Sequence, residues 1–208
     1  MGATVIMACR DLPKTEEVKA SILKSVAEPN KLKIDIMYLD LCDLKSIREF
    51  VKAFKSKYHR LDILINNAGV MAIPDRRVTK DGFEMQIGTN HLGHFLLTNL
   101  LLDIITASKP SRIINVSALA HKWGDLNLDD INSEKHYNRY SIYAGTKLAN
   151  VLFTKELAKK LEGTGVKTVC LHPGVVRTEL GRYILEGSFL TRIGMIMMYP
   201  FIGILRKA

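Results

Sequence analysis

Short, almost wholly apolar runs alternate along this chain with longer segments of helical period. Thr4–Cys9, Ile34–Leu39, Leu61–Asn66, Arg112–Ser117 and Val166–Leu171 read as strands. Pro13–Ala27, Leu44–Tyr58, Gly82 to about Ser108, and Ser141–Leu161 read as helices. Pro13 is tolerated in a first helical turn, Asp43 is a start signal, and Gly163 with Gly165 closes the last helix. Lys122 to Asn138 reads as a polar loop. Strands this apolar are covered on both faces, and strand–helix alternation joins them in parallel. The expected fold class is α/β, a doubly wound, Rossmann-like parallel sheet. No repeat, low-complexity tract or Gly/Ser linker divides the 208 residues. A single domain over residues 1–208 is therefore expected, large enough for a sizeable core.

Charge and cysteine usage narrow the partners. The formal net charge is +9, which suits nucleic acid, an anionic membrane surface or a phosphate-rich cofactor. The cations are mixed with acids on helical segments, as in Lys155-Glu156-Leu157-Ala158-Lys159-Lys160, and no aromatic-interleaved basic run occurs. No nucleic-acid partner is expected. Cys9, Cys42 and Cys170 are odd in number and far apart. They show no metal spacing and fit a reducing, intracellular compartment. The N-terminus lacks the basic and apolar regions of a signal peptide. Gly194 to Leu205 is apolar apart from its proline and too short to span a bilayer. It reads as a substrate wall, core, or a segment dipping into an internal membrane such as the endoplasmic reticulum.

In sheets of this class ligands bind beyond the carboxyl ends of the strands. The chemistry-bearing residues fall there: Arg10 and Asp11, Asp40, Asn66 to Gly69, Ser117, and Pro173-Gly174. Tyr143 and Lys147 lie one helical turn apart on one face. A free tyrosine titrates near pH 10. A neighbouring ammonium is expected to lower that value, so that the phenol can exchange a proton with a substrate oxygen. Ser117, at a strand end, can hydrogen-bond the same oxygen. Tyr-x-x-x-Lys alone is also a common surface pair.

The wider pattern resembles the short-chain dehydrogenase/reductase family. The resemblance rests on Asn66-Asn67-Ala68-Gly69, Asn90-His91-Leu92-Gly93-His94-Phe95, Asn115-Val116-Ser117, Tyr143-Ala144-Gly145-Thr146-Lys147 and His172-Pro173-Gly174, in that order. It implies a catalytic set of Asn90, Ser117, Tyr143 and Lys147, with Asn90 holding a water that links the lysine to solvent. It further implies that Lys147, with Tyr143, meets the nicotinamide ribose. Asn67, Ala68 and Gly69 would let the backbone approach the cofactor. Asp40 and Leu41 would lie near the adenine, and Pro173, Gly174 and Thr178 along the nicotinamide. Cys9-Arg10-Asp11 places an arginine where the family's NADP enzymes bind the 2′-phosphate, so Arg10 points to NADP. Asp11 then caps the following helix.

The resemblance is strongest to the retinol dehydrogenase branch, carried by Val5–Asp11, Asn66–Met71, Asn90–Thr98 and Tyr143–Asn150. It implies an NADP(H)-dependent oxidoreductase interconverting retinol-like alcohols and their carbonyls, with Tyr143 as acid/base. Two departures qualify this. No Gly-x-x-x-Gly-x-Gly run occurs, although such a turn cradles the pyrophosphate in the family. The family's first strand, expected between Thr4–Cys9 and Leu61–Asn66, is not found, and its C-terminal end is missing. A fold incomplete at both ends is expected, with two apolar strand edges facing a gap. The alternatives are a non-catalytic binding or dimerisation module, for which the helices at Gly82–Ser108 and Ser141–Leu161 would supply a homodimer face, and a general carbonyl or hydroxysteroid reductase.

Overall fold

The computed structural model describes residues 2–174, Leu180 and Tyr183. The apolar tail at Gly194–Leu205 and Thr178 lie outside the described residues. Strands β1 (Thr4–Cys9), β2 (Lys33–Tyr38), β3 (Ile63–Asn66), β4 (Ser111–Val116) and β5 (Val166–Leu171) alternate with helices. The helices are α1 (Leu12–Ser25), α2 (Leu44–Lys57), α3 (Met85–Ile87), α4 (Gly93–Ala107) and α5 (Arg139–Lys160). Side-chain caps start three of the longer ones. Asp11 accepts Lys14 N–H at α1, Asp43 accepts Lys45 and Ser46 N–H at α2, and Asn138 accepts Tyr140 and Ser141 N–H at α5.

The expected single helix from Gly82 is corrected. Glu84 caps the short α3, and Gly88–Leu92 follows as a π-helical turn before α4. There the Gly93 N–H bonds back to Gly88 O rather than to the residue four before it. A π turn of this kind carries an extra residue and re-aims side chains and carbonyls, often at functional sites. Asn90 sits inside it.

All strand pairs are parallel, but they form two sheets, β1-β2 and β3-β4-β5. Among the described residues β1 pairs only with β2, and the outer side of β3 has no strand. The cost is visible in exposed aliphatic side chains: Val5 on β1 is 51% exposed, and Ile63 and Ile65 on β3 are 50% and 58% exposed. Burial on both faces therefore fails at these edges, which have no further strand among the described residues. The two sheets share one core nonetheless. Ile47, Phe50, Val51 and Phe54, at helical spacing on α2, pack with Leu97, Leu101 and Ile105 of α4 and Ile113 of β4. Truncating a fully buried residue such as Leu101 to alanine costs about 2–5 kcal/mol.

Candidate active site

β4 and β5 deliver Ser117 to the carboxyl end of the sheet. The Ser117 N–H donates to Leu171 O at 2.8 Å, so the start of the Pro173-Gly174 loop lies beside it. The buried Ser117 hydroxyl donates to Lys147 O at 2.8 Å, which fastens it to α5. On α5, Tyr143 and Lys147 share a face as the spacing predicts. The Lys147 Nζ lies 5.5 Å from the Tyr143 ring centroid and donates to Val116 O at 3.2 Å. Both side chains are buried. Among the described residues no hydrogen-bond partner is found for the Tyr143 hydroxyl.

The turn after β3 closes the other side. Asn90 Oδ1 accepts the Val70 N–H at 2.8 Å, and Asn90 Nδ2 donates to Val70 O at 2.9 Å and Thr146 Oγ1 at 3.2 Å. The Asn90 amide thus holds the Asn67-Ala68-Gly69 turn against α5. A Cβ on Gly69 would stand 3.0 Å from Asn90 Oδ1 and 3.9 Å from Lys147 Nζ. Only a bare backbone fits that close approach without displacing one of them. Gly69, Asn90, Ser117, Tyr143 and Lys147 are therefore linked through contacts at α5. Asn67 and Ala68 are exposed on the rim.

The electrostatics correct one expectation. Burial pushes the Tyr143 phenol up from its ordinary value, and no lowering by Lys147 appears. The ammonium lies over the ring and spends its hydrogen bond on Val116 O, not on the phenol oxygen. Lys147 moves instead: burial lowers its amine to about 8. Cys170 on β5 also lies beside Ser117 and Lys147, and burial raises its thiol.

Arg10, Asp40 and Leu41 form a second group at the ends of β1 and β2. The Arg10 side chain is 62% exposed, with Nη1 4.0 Å from Asp40 Oδ1. Asp40 is buried, and its Oδ1 accepts the Cys42 N–H at 2.9 Å. Leu41 belongs to the core. Arg10 is thus loosely paired and reaches solvent. Asp40 shapes the loop, and Leu41 contributes packing and backbone.

Several residues of the site were missed. Gln86 Oε1 accepts the N–H of Ala72, whose φ of 55° is left-handed. Asn150 shares the Val116 carbonyl with Lys147, and His91 meets the Asn150 amide oxygen. Asn150 was findable, since it sits two turns after Tyr143 on the same helix face. Nothing in the sequence marked Gln86.

Comparison with known proteins identifies the family. The family described as short chain dehydrogenase matches residues 1–188. The chain is 54% identical over 189 residues to retinol dehydrogenase 13 of Homo sapiens, covering 90% of this chain and 56% of that protein. It is 48% identical over 194 residues to retinol dehydrogenase 14 of Homo sapiens, covering 88% of this chain and 57% of that protein. The chain thus spans somewhat more than half the length of these relatives. A crystal structure of an uncharacterized protein from Mycobacterium Paratuberculosis superposes with a TM-score of 0.72 at 43% identity, covering 88% of this chain and 63% of that one. The Pseudomonas aeruginosa RhlG/NADP complex gives a TM-score of 0.67 at 23% identity, covering 89% and 68%, and speaks to the fold alone. The parallel α/β layers, the convergent serine, tyrosine and lysine, and the match over most of the sequence place this chain in the short-chain dehydrogenase family, among relatives of the retinol dehydrogenase kind.

Proposed function

We propose that this chain serves an NADP(H)-dependent oxidoreductase that interconverts retinol-like alcohols and their carbonyls. The observation that carries the reading is the convergence of Gly69, Asn90, Ser117, Tyr143 and Lys147 on one side of α5. When bound, the nicotinamide cofactor supplies or accepts the hydride. The Tyr143 hydroxyl, with no hydrogen-bond partner among the described residues, gives a proton to the carbonyl oxygen or takes one from the alcohol. Its raised pKa favours the protonated form, which suits the reducing direction. Ser117 reaches the same oxygen by turning its O–H away from Lys147 O. Lys147, buried and donating to Val116 O, has further N–H groups to offer to ribose hydroxyls.

The fit to the cofactor rests on two features. The bare Gly69 backbone beside Lys147 leaves a cradle that a Cβ would fill. The exposed Arg10 guanidinium stands at the strand end, 4.0 Å from Asp40, and its fork matches a 2′-phosphate. Asp40, Leu41, Asn67, Ala68, Pro173 and Gly174 would border the same space, and Thr178 is assigned there from sequence alone. The substrate class follows from the names of the retinol dehydrogenase relatives. Phe95 and Leu152, 44% and 48% exposed on α4 and α5, suit a homodimer face. No helix among the described residues is long and apolar enough to cross a membrane. Peripheral attachment to an internal membrane remains part of the proposal.

Titration with NADPH, followed by the blue shift and rise of nicotinamide fluorescence, tests the binding half. Saturable binding is expected. Arg10→Asp should weaken NADPH relative to NADH by tenfold or more, since a charge-assisted contact contributes about 1.5–3 kcal/mol. An unchanged ratio removes Arg10 from the phosphate. No binding at millimolar NADPH removes catalysis by this chain and leaves the family assignment standing.

A further inference from the structure

Beside Lys147 lies a buried polar cluster that the proposed chemistry does not use. Asn150 is 5% exposed. Its Nδ2 donates to Asn90 O at 3.2 Å and to Val116 O at 3.3 Å. Val116 O is also the acceptor for Lys147 Nζ, at 3.2 Å. The Asn150 Oδ1 meets His91 Nδ1 at 3.0 Å. Asn90 O meets His94 Nδ1 as well, at 3.2 Å.

These contacts fix the proton positions. An amide nitrogen facing two carbonyls must be the NH2 end, so Asn150 Oδ1 is an acceptor and His91 Nδ1 carries the hydrogen. Turning the Asn150 amide over would set its oxygen against two carbonyl oxygens and its NH2 against the His91 N–H. The two carbonyls and the His91 N–H together hold Asn150 in one orientation. Asn150 in turn joins the π-helical turn that carries Asn90, the last residue of β4 before Ser117, and α5 with Lys147. Asn90 O, carried on the π-helical turn, thus takes side-chain contacts from both Asn150 and His94.

We propose that His91 and Asn150 are a positioning pair that holds the Val116 carbonyl and, through it, the Lys147 amine. The inference rests on the reading of Lys147 as a member of the reaction centre, but its geometry is independent of turnover. Two physical effects act on Lys147 through the pair. The N–H end of the Asn150 amide competes for Val116 O and sets partial positive charge near the ammonium, which disfavours the charged form. The packed cluster also keeps water from Lys147, whose amine burial already lowers to about 8. Among the described residues the other ionisable groups near Lys147 include Tyr143 on α5, Cys170 on β5 and His94 on α4, and burial lowers the imidazole of His91 itself. Burial lowers His94 to about 4, so it is neutral near pH 7, and the two acids are held protonated by burial. None of these groups supplies a counter-charge near neutrality.

The test is the titration of the Lys147 side-chain ε-carbon by NMR, assigned by the signal lost in Lys147→Arg. The wild-type midpoint is expected near 8. Asn150→Leu and His91→Phe should move it up by about one unit or more, toward the ordinary lysine value. His91→Asn, whose Nδ2 falls close to the imidazole Nδ1, should restore most of the wild-type midpoint. An unchanged midpoint in folded Asn150→Leu overturns the proposal. So does a His91→Asn protein that titrates like His91→Phe. A measurement on the unaltered chain guards against variants that fail to fold: the 15N shifts of His91 should report the Nδ1–H tautomer, and an Nε2–H tautomer would refute the lock. These readouts stand whether or not the chain turns over substrate, so failure of the proposed function leaves them interpretable.

Discussion

Lys147→Met isolates what the candidate reaction centre costs the fold. The amine is 4% exposed, donates to one carbonyl, and has no acid within salt-bridge distance among the described residues. Burial lowers it to about 8 from an ordinary 10.5. The sign follows directly. A folded-state value below the unfolded one means that stability is full above about pH 10.5. It falls as the pH drops toward about 8 and is constant below that. Each factor of ten is worth about 1.4 kcal/mol, so the buried charge destabilises the folded chain by roughly 3 kcal/mol at neutral pH. Methionine fills similar space without the charge. Lys147→Met should therefore be more stable near pH 7 by roughly 2–3 kcal/mol, less the lost Val116 hydrogen bond. For a chain of this size that is about 4–12 °C in Tm. Urea unfolding of both proteins across pH gives the answer. The gain should shrink as pH rises above about 8 and vanish by about 10.5. A variant less stable than wild type at pH 7, or a difference independent of pH, would refute the picture of an uncompensated buried ammonium.

Other consequences follow from the same network. Asn90→Ala removes three hydrogen bonds, to Val70 N, Val70 O and Thr146 Oγ1. It should cost roughly 2–4 kcal/mol, read as a lower urea midpoint and faster amide exchange at Val70. His94 is buried and lowered to about 4, so stability should fall as pH drops from about 6.5 to about 4, by up to roughly 3 kcal/mol. His94→Gln should flatten that acid limb in unfolding curves. Ile65 is 58% exposed on β3, which is an edge strand among the described residues. Ile65→Lys should reduce aggregation on light scattering, with little change in unfolding midpoint.

The parts of the fold legible in sequence were those governed by local rules. β1 and β5 begin and end where the apolar runs do, and Asp11 and Asp43 cap as their chemistry requires. The long helix was misread because periodicity does not reveal a π turn. The Gly93 N–H takes Gly88 O through a backbone rearrangement that an apolar pattern such as Leu97, Leu101 and Ile105 does not record. Within the site, Tyr143 and Lys147 were legible because a helix fixes their relation. The direction of the Tyr143 shift was not, since it depends on how deeply the phenol is buried and where Nζ spends its hydrogen bond. Gln86, His91 and Asn150 act through tertiary contacts across α3, the π turn, β4 and α5. Only the last had a sequence cue, its place on the Tyr143 face.

In the proposed function Tyr143 exchanges the proton in a nicotinamide-dependent reaction. Loss of NADPH absorbance in the presence of retinal tests it most directly, with wild-type and Tyr143→Phe chains compared at equal cofactor occupancy. The wild-type chain should consume NADPH and form the alcohol. Tyr143→Phe should bind NADPH as before and turn over at least a hundredfold more slowly, as removal of a general acid implies. Comparable rates in the two chains would contradict the account.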